Sequence, residues 1–190
     1  MPRVGLDLQM ILQAAGKIAD ESGLDEVTLA TLAKRLNIRP PSLYNHIDGL
    51  SGLRRKLAVY GMKQLNEAMT HAAAGRSRDD AVQAIGKAYI QFVRDHPGLY
   101  DALVRAPDWQ DEETLRAAEQ PMKLLVRVLA AYGIDGDAAI HLVRGLRSLL
   151  HGFASLSLSG NFNIPLSQDD SLRLVLDTFI AGIRSGRTEP

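Results

Sequence analysis

The chain has no cysteine. Disulfides and thiolate chemistry are therefore excluded, and a reducing compartment is compatible with the sequence. Excess charge is missing too. Lysine and arginine total 22 and aspartate and glutamate total 22, so the whole molecule is no polycation and any attraction to phosphate has to be local. No run of about 18 apolar residues occurs, so no membrane span is expected. The opening Met-Pro-Arg-Val-Gly-Leu-Asp lacks an apolar stretch after its basic residue, and no signal peptide is expected. No repeat, low-complexity tract, long linker or convincing strand interrupts the chain. Catalytic signatures are also absent: there is no Gly-rich phosphate loop and no Ser-His-Asp arrangement. His141 and His151 lie ten residues apart with no third ligand nearby, so neither a metal nor a cofactor is expected.

What remains is helix. At 190 residues and 46% apolar content the chain has room for one or two compact domains with a substantial core. The periodicity predicts an all-α fold of about nine helices. Asp7 begins the first, with Leu8, Ile11, Leu12, Ala15, Ile18 and Ala19 on one face, and Gly23 ends it. Thr28 is the N-cap of a second, whose buried side is Leu29, Leu32, Ala33 and Leu36. Asn37-Ile38-Arg39 is a turn, and Pro40 and Pro41 suit the start of a short helix through Ile47. On that helix Leu43 and Ile47 point inward, leaving Ser42, Tyr44, Asn45 and His46 outward. Long helices follow from about Leu50 to Ala73, Arg78 to Asp95, Glu112 to Tyr132 and Asp135 to Ser159. A short helix spans Leu99 to Arg105, between a stop at His96-Pro97-Gly98 and a loop over 106–111. Pro121 is expected to kink the helix that contains it. Ser167 with Asp170 resembles a cap for the last helix, which ends at Gly186 ahead of a polar, loose tail.

Two short helical patterns around a tight break, with a third helix behind, are the layout of a helix-turn-helix, whose second helix enters the DNA major groove. Between Thr28 and Ala58 the six basic residues Lys34, Arg35, Arg39, Arg54, Arg55 and Lys56 face one acid, Asp48. A basic patch on a neutral molecule suits a duplex reader, although a solvated charged face has the same composition. A second pattern lies between Asp135 and Ser159. There Gly145, Ser148, Gly152, Ser155 and Ser159 form one stripe of small residues, a sign of close approach by another helix.

These residues carry a family resemblance. Ala14-Ala15 with Gly23, Val27-Thr28-Leu29, Leu32-Ala33, Pro41-Ser42-Leu43-Tyr44-x-His46 and Leu53 together resemble the TetR family of one-component transcription regulators over about the first 60 residues. Leu150-His151-Gly152-Phe153, with Leu156 and Gly160-Asn161-Phe162, resembles the WHG-type C-terminal domain of one branch, with leucine where that branch has tryptophan. A second departure is Leu50, at the start of the long helix, where family members commonly carry a phosphate-holding lysine; Arg54, Arg55 or Lys56 supply charge there instead. The resemblance implies a DNA-binding head over residues 1–50 and a ligand-binding and dimerisation domain over 51–190. It also implies a homodimer on a palindromic operator, an unidentified, largely apolar effector, no membrane partner, and a cytoplasmic, nucleoid-associated place in a bacterium. Repression relieved by ligand is the expected action. A constitutive DNA-binding protein and a helical carrier or enzyme are the alternatives.

On this basis the DNA-binding candidates are Thr28, Thr31, Arg39, Ser42, Tyr44, Asn45, His46, Arg54, Arg55 and Lys56. Tyr44 and His46 are read as phosphate contacts, Arg39 as a base or phosphate contact, Asn45 as an adenine reader or a solvent-facing residue, and Thr28 as a cap or a phosphate contact. Effector candidates are Tyr89, Phe92, His96, Tyr100, Trp109, Met122, Leu125, His141 and Arg144, each of which can equally be core, cap or ion-pair residue. The last two helices are expected to form a four-helix dimer interface through Gly145, Ser148, Gly152 and Ser155 with Leu172, Leu176, Phe179 and Ile183.

Overall fold

A computed structural model describes residues 6–185. The expected last-helix end at Gly186 and the polar tail beyond it lie outside the described residues. Within them are eight α-helices, two short 3-10 helices and no strand. In chain order the α-helices are α1 (Leu8–Ser22), α2 (Leu29–Arg35), α3 (Gly49–Ala73), α4 (Arg78–Asp95), α5 (Pro97–Arg105), α6 (Glu112–Ala130), α7 (Gly136–Leu158) and α8 (Gln168–Ser185). A 3-10 turn, Leu24–Glu26, follows α1, and the segment after α2 is a 3-10 helix, Pro40–Asn45. Counting that segment with the eight α-helices gives the nine expected; the turn at Leu24 is additional.

Two compact units divide the chain. The first comprises residues 1–64 and 95–117, the second 65–94 and 118–190. The head expected over residues 1–50 falls inside the first unit, which also takes in α5. In this unit Ile11, Val27, Leu32, Leu43, Leu53 and Leu57 are fully buried. Helix α1 starts where Asp7 accepts the Met10 amide at 2.7 Å. Helix α5 crosses α1 at Gly98, where an added Cβ would lie 2.0 Å from the Ala19 carbonyl oxygen. One residue along α1, Asp20 accepts the Leu99 amide at 2.9 Å and meets His96 Nδ1 at 2.9 Å. Asp20 thus caps α5 from α1 through the Leu99 amide, while Pro97 at the first position has no N–H to satisfy.

The second unit is built on Val82, Ile85, Ile90, Val93, Leu150 and Leu176. Helices α4 and α8 approach so closely that a Cβ on Gly86 would lie 2.6 Å from Leu176 Cδ1. Asp79 at the start of α4 accepts the Tyr132 hydroxyl at 2.8 Å and pairs with Arg184 near the end of α8. Burial raises the Tyr132 phenol above its ordinary value. Helix α6 continues through Pro121, and α7 ends in a left-handed Gly160.

Candidate nucleic-acid interface

The candidate reader is built locally. Thr28 caps α2: its hydroxyl accepts the Thr31 amide at 3.1 Å, and Thr31 Oγ1 accepts the Thr28 amide at 3.0 Å. Thr31 also donates to the Glu26 carbonyl at 2.8 Å. Both hydroxyls are therefore engaged in a reciprocal cap. Helix α2 ends at Asn37, which takes a left-handed φ of 52°. The Ile38 amide then bonds Ala33 O at 3.0 Å and the Asn37 amide bonds Lys34 O at 3.2 Å. This pair of bonds satisfies the last carbonyls of α2 and reverses the chain.

Arg39 is extended, as a residue before proline must be. Pro40 and Pro41 have no N–H, so the first donor is the Ser42 amide, which reaches back three residues to Arg39 O at 3.0 Å. The segment is consequently a 3-10 helix. It ends at His46, which has left the helical conformation at φ -126°. That differs from the outward His46 expected from α-helical spacing: His46 and Ser42 are half-buried beside the fully buried Leu43. Arg39 and Asn45 are exposed, and Tyr44 is 60% exposed. Ile47, at 2%, closes the inner side.

The charge around this segment is smaller than composition implies. Arg35 forms a two-pronged pair with Glu21, at 2.5 and 2.7 Å. That bond lowers the Glu21 carboxyl and raises the Arg35 guanidinium from their ordinary values. Arg54 turns to Asp25 at 3.8 Å, an acid it shares with Arg105 at 3.6 Å. Arg55 pairs with Asp108 at 3.2 Å. Lys34, Arg39 and Lys56 have no ion-pair partner among the described residues. Asp111 caps α6 by accepting the Thr114 amide at 2.8 Å and hydroxyl at 3.0 Å. Those two bonds, with a smaller contribution from Arg55, hold its carboxyl below the usual range.

The remaining candidates fall in both units. His96 and Tyr100 belong to the first, His96 as the Asp20 partner and Tyr100 as a core residue. Both lie at the α1–α5 contact or in the core beside it. Trp109, Met122, His141 and Arg144 are exposed, whereas Tyr89, Phe92 and Leu125 are buried in the second unit. An open groove of about 560 Å³ on that unit is lined by Lys87, Ile90, Arg94, Asp169, Asp170 and Arg173 among others, and none of the nine effector candidates lines it. On α7, Gly145, Ser148 and Ser155 are exposed and Gly152 is half-buried. Phe179 is half-buried, its ring edge 3.6 Å from a Cβ built on Gly145. Leu172, Leu176 and Ile183 are corrected: at 3%, 0% and 3% exposure they fill this chain's own core and are not free to meet a second copy.

Residues 82–179 match a family model described as a tetracyclin repressor-like C-terminal domain. The HTH-type transcriptional regulator YobS of Bacillus subtilis (strain 168) is 39% identical over 183 residues, covering 96% of this chain and 95% of that one. The chain belongs to the TetR family of transcriptional regulators. A second relative, the HTH-type transcriptional regulator Rv0681 of Mycobacterium tuberculosis (strain ATCC 25618 / H37Rv), is 35% identical over 156 residues, 82% of this chain and 72% of that one. The fold is shared with a TetR variant of Acinetobacter baumannii AYE crystallised with minocycline, at 21% identity and a TM-score of 0.72, covering 97% of this chain and 100% of that one. This TetR-family chain is thus a DNA-binding regulator and not an enzyme. No described helix is long and apolar enough to cross a membrane.

Three residues of the first unit escaped the sequence: Asp20, Gly98 and Asp108. A glycine in the first turn after Pro97 reads as a helix stop, and only the crossing with α1 shows it as a close contact. Asp20 and Asp108 act through partners 79 and 53 residues away, and no local pattern marks them.

Proposed function

We propose that this TetR-family chain is a homodimeric repressor that holds a palindromic operator and leaves it when a small, largely apolar molecule binds its second unit. The observation that carries the DNA side is the division of one short segment, with Leu43 and Ile47 buried while Arg39, Tyr44 and Asn45 face solvent. Tyr44 and the half-buried His46 position on phosphate; Arg39, Ser42 and Asn45 address base edges. Arg55 and Lys56 add phosphate contacts, Thr28 and Thr31 serve by fixing the start of α2 through their cap, and Arg54 is held back by Asp25. The dimer joins through the small-residue face of α7 with Phe179, which supports a four-helix contact because a Cβ on Gly152 meets nothing of this chain within 4 Å. Two heads then address the same duplex face about 34–36 Å apart.

An effector is supported by the minocycline complex of the Acinetobacter fold neighbour. In this chain Tyr89, Phe92 and Leu125 are the candidates to meet it. To release DNA it must bind the DNA-free state more tightly than the DNA-bound one.

Gel shifts on the DNA upstream of the chain's own gene test this. Tyr44→Ala and His46→Ala are expected to weaken binding about tenfold or more, the scale of a lost hydrogen bond to a charged group. Helicity and dimerisation stay at wild-type values. Undiminished binding by both variants at moderate salt overturns the assignments. A protein–DNA complex indifferent to a panel of apolar compounds replaces effector control with constitutive occupancy.

A further inference from the structure

We infer that Asp108 stands in for a DNA phosphate at Arg55, so that the loop leading into α6 competes with DNA for α3. The inference rests on the proposed phosphate role of Arg55. Arg55 lies on the second turn of α3, and its guanidinium folds back until one amino nitrogen is 3.9 Å from a Cβ built on Gly52. The other amino nitrogen reaches Asp108 Oδ2 at 3.2 Å. Carboxylate and phosphate oxygens present the same acceptors to a guanidinium, so the two compete for it. The side chain is 48% exposed, which leaves it open to an incoming anion.

Asp108 is held for this contact by its own loop. Its Oδ1 accepts the Gln110 amide at 3.1 Å, and its carbonyl accepts the Asp111 amide at 3.0 Å. Only Oδ2 is left to face Arg55. The neighbouring cation cannot take over, because Arg54 is turned to Asp25. A DNA phosphate that takes Arg55 therefore displaces Asp108 and releases the segment just ahead of the Asp111 cap of α6. By linkage, a shift of that segment that withdraws Asp108 strengthens DNA binding by the same factor. Lys63 with Glu113, at 2.7 Å, is a second tie between α3 and the start of α6.

The test uses the full chain and a labelled duplex of random sequence about three helical turns long, because phosphate attraction is sequence-independent. Binding is followed by anisotropy across a salt series for the wild type, D108N, R55Q and the double variant. D108N keeps the Oδ1 acceptor for Gln110 and removes the charge. It is expected to bind roughly two- to fivefold more tightly per head, the range in which an exposed ion pair acts. Its salt dependence is expected to steepen. R55Q is expected to bind more weakly, with the slope of log K against log salt shallower by about 0.9 per head. The double variant should match R55Q alone, since Asp108 acts only through Arg55. D108S, which also offers a hydroxyl acceptor to Gln110, should repeat the D108N result, and thermal melts confirm folding of each variant. Wild-type affinity and slope in both D108N and D108S overturn the inference, as does tightening that persists without Arg55. A wild type that binds no duplex at all overturns the inference together with the DNA-binding role beneath it, whereas the other failures leave that role standing.

Discussion

Two helical glycines mark opposite situations in this molecule. At the α1–α5 crossing, a Cβ on Gly98 would lie 2.0 Å from the Ala19 carbonyl oxygen. On α7, a Cβ on Gly152 would meet nothing within 4 Å. The same residue type, disfavoured in helix interiors by about 1 kcal/mol, is explained within the chain in the first case and not in the second. The crossing in the first unit is a finished contact. The α7 face in the second unit, with Gly145, Ser148 and Ser155 exposed around Gly152, is an unfinished one. A second copy is the proposed completion.

Substitution separates the two cases. Gly98→Ala is the larger perturbation, because backbone atoms have no rotamer into which to retreat. Unfolding by urea is expected to show a loss of about 3 kcal/mol, the upper range for overpacking. A midpoint equal to wild type would show that the crossing has slack and would erase the contrast. Gly152→Leu is expected to leave helix content unchanged and to weaken self-association at least about tenfold in sedimentation, as a misfit at a packed interface does. A wild-type dimer constant would mean that this face stays open in the working protein.

The smallest effect concerns how the loop before α6 is held. The Thr114 amide and hydroxyl bonds keep the Asp111 carboxyl below its ordinary value. A group whose folded pKa is depressed contributes stability above its unfolded value, near 3.8, and loses that contribution as pH falls through the lower folded value. Acid melts of the wild type should therefore show a loss below about pH 4 that is diminished in Asp111→Asn. Identical acid profiles would remove Asp111 as the reason for that sensitivity.

Local chemistry made much of the fold legible in advance. Asp7 begins α1 and Thr28 caps α2, as their side-chain chemistry predicts. Asn37 and the two prolines determine the turn and its short helix through bonds spanning no more than five residues. The 3-10 form of Pro40–Asn45 and the half-burial of His46 just beyond it have no local signature. Pairings across long stretches of chain left no trace in the sequence. Arg35, Arg54 and Arg55 look like free cations until Glu21, Asp25 and Asp108 are brought beside them. On α8, one apolar face at Leu172, Leu176 and Ile183 serves equally well against a second copy or against this chain. The contact of Leu176 with Gly86 decides for the latter.

The Gly98–Ala19 crossing has a mechanical consequence. Ordinary side-chain contacts yield, because a rotamer can turn or a methyl group can shift by a few tenths of an ångström. Here one backbone bears on another, with Asp20 bonded to the first turn of α5 beside it. No side chain stands between the two helices to give way, so a displacement of α5 is expected to carry α1 with it.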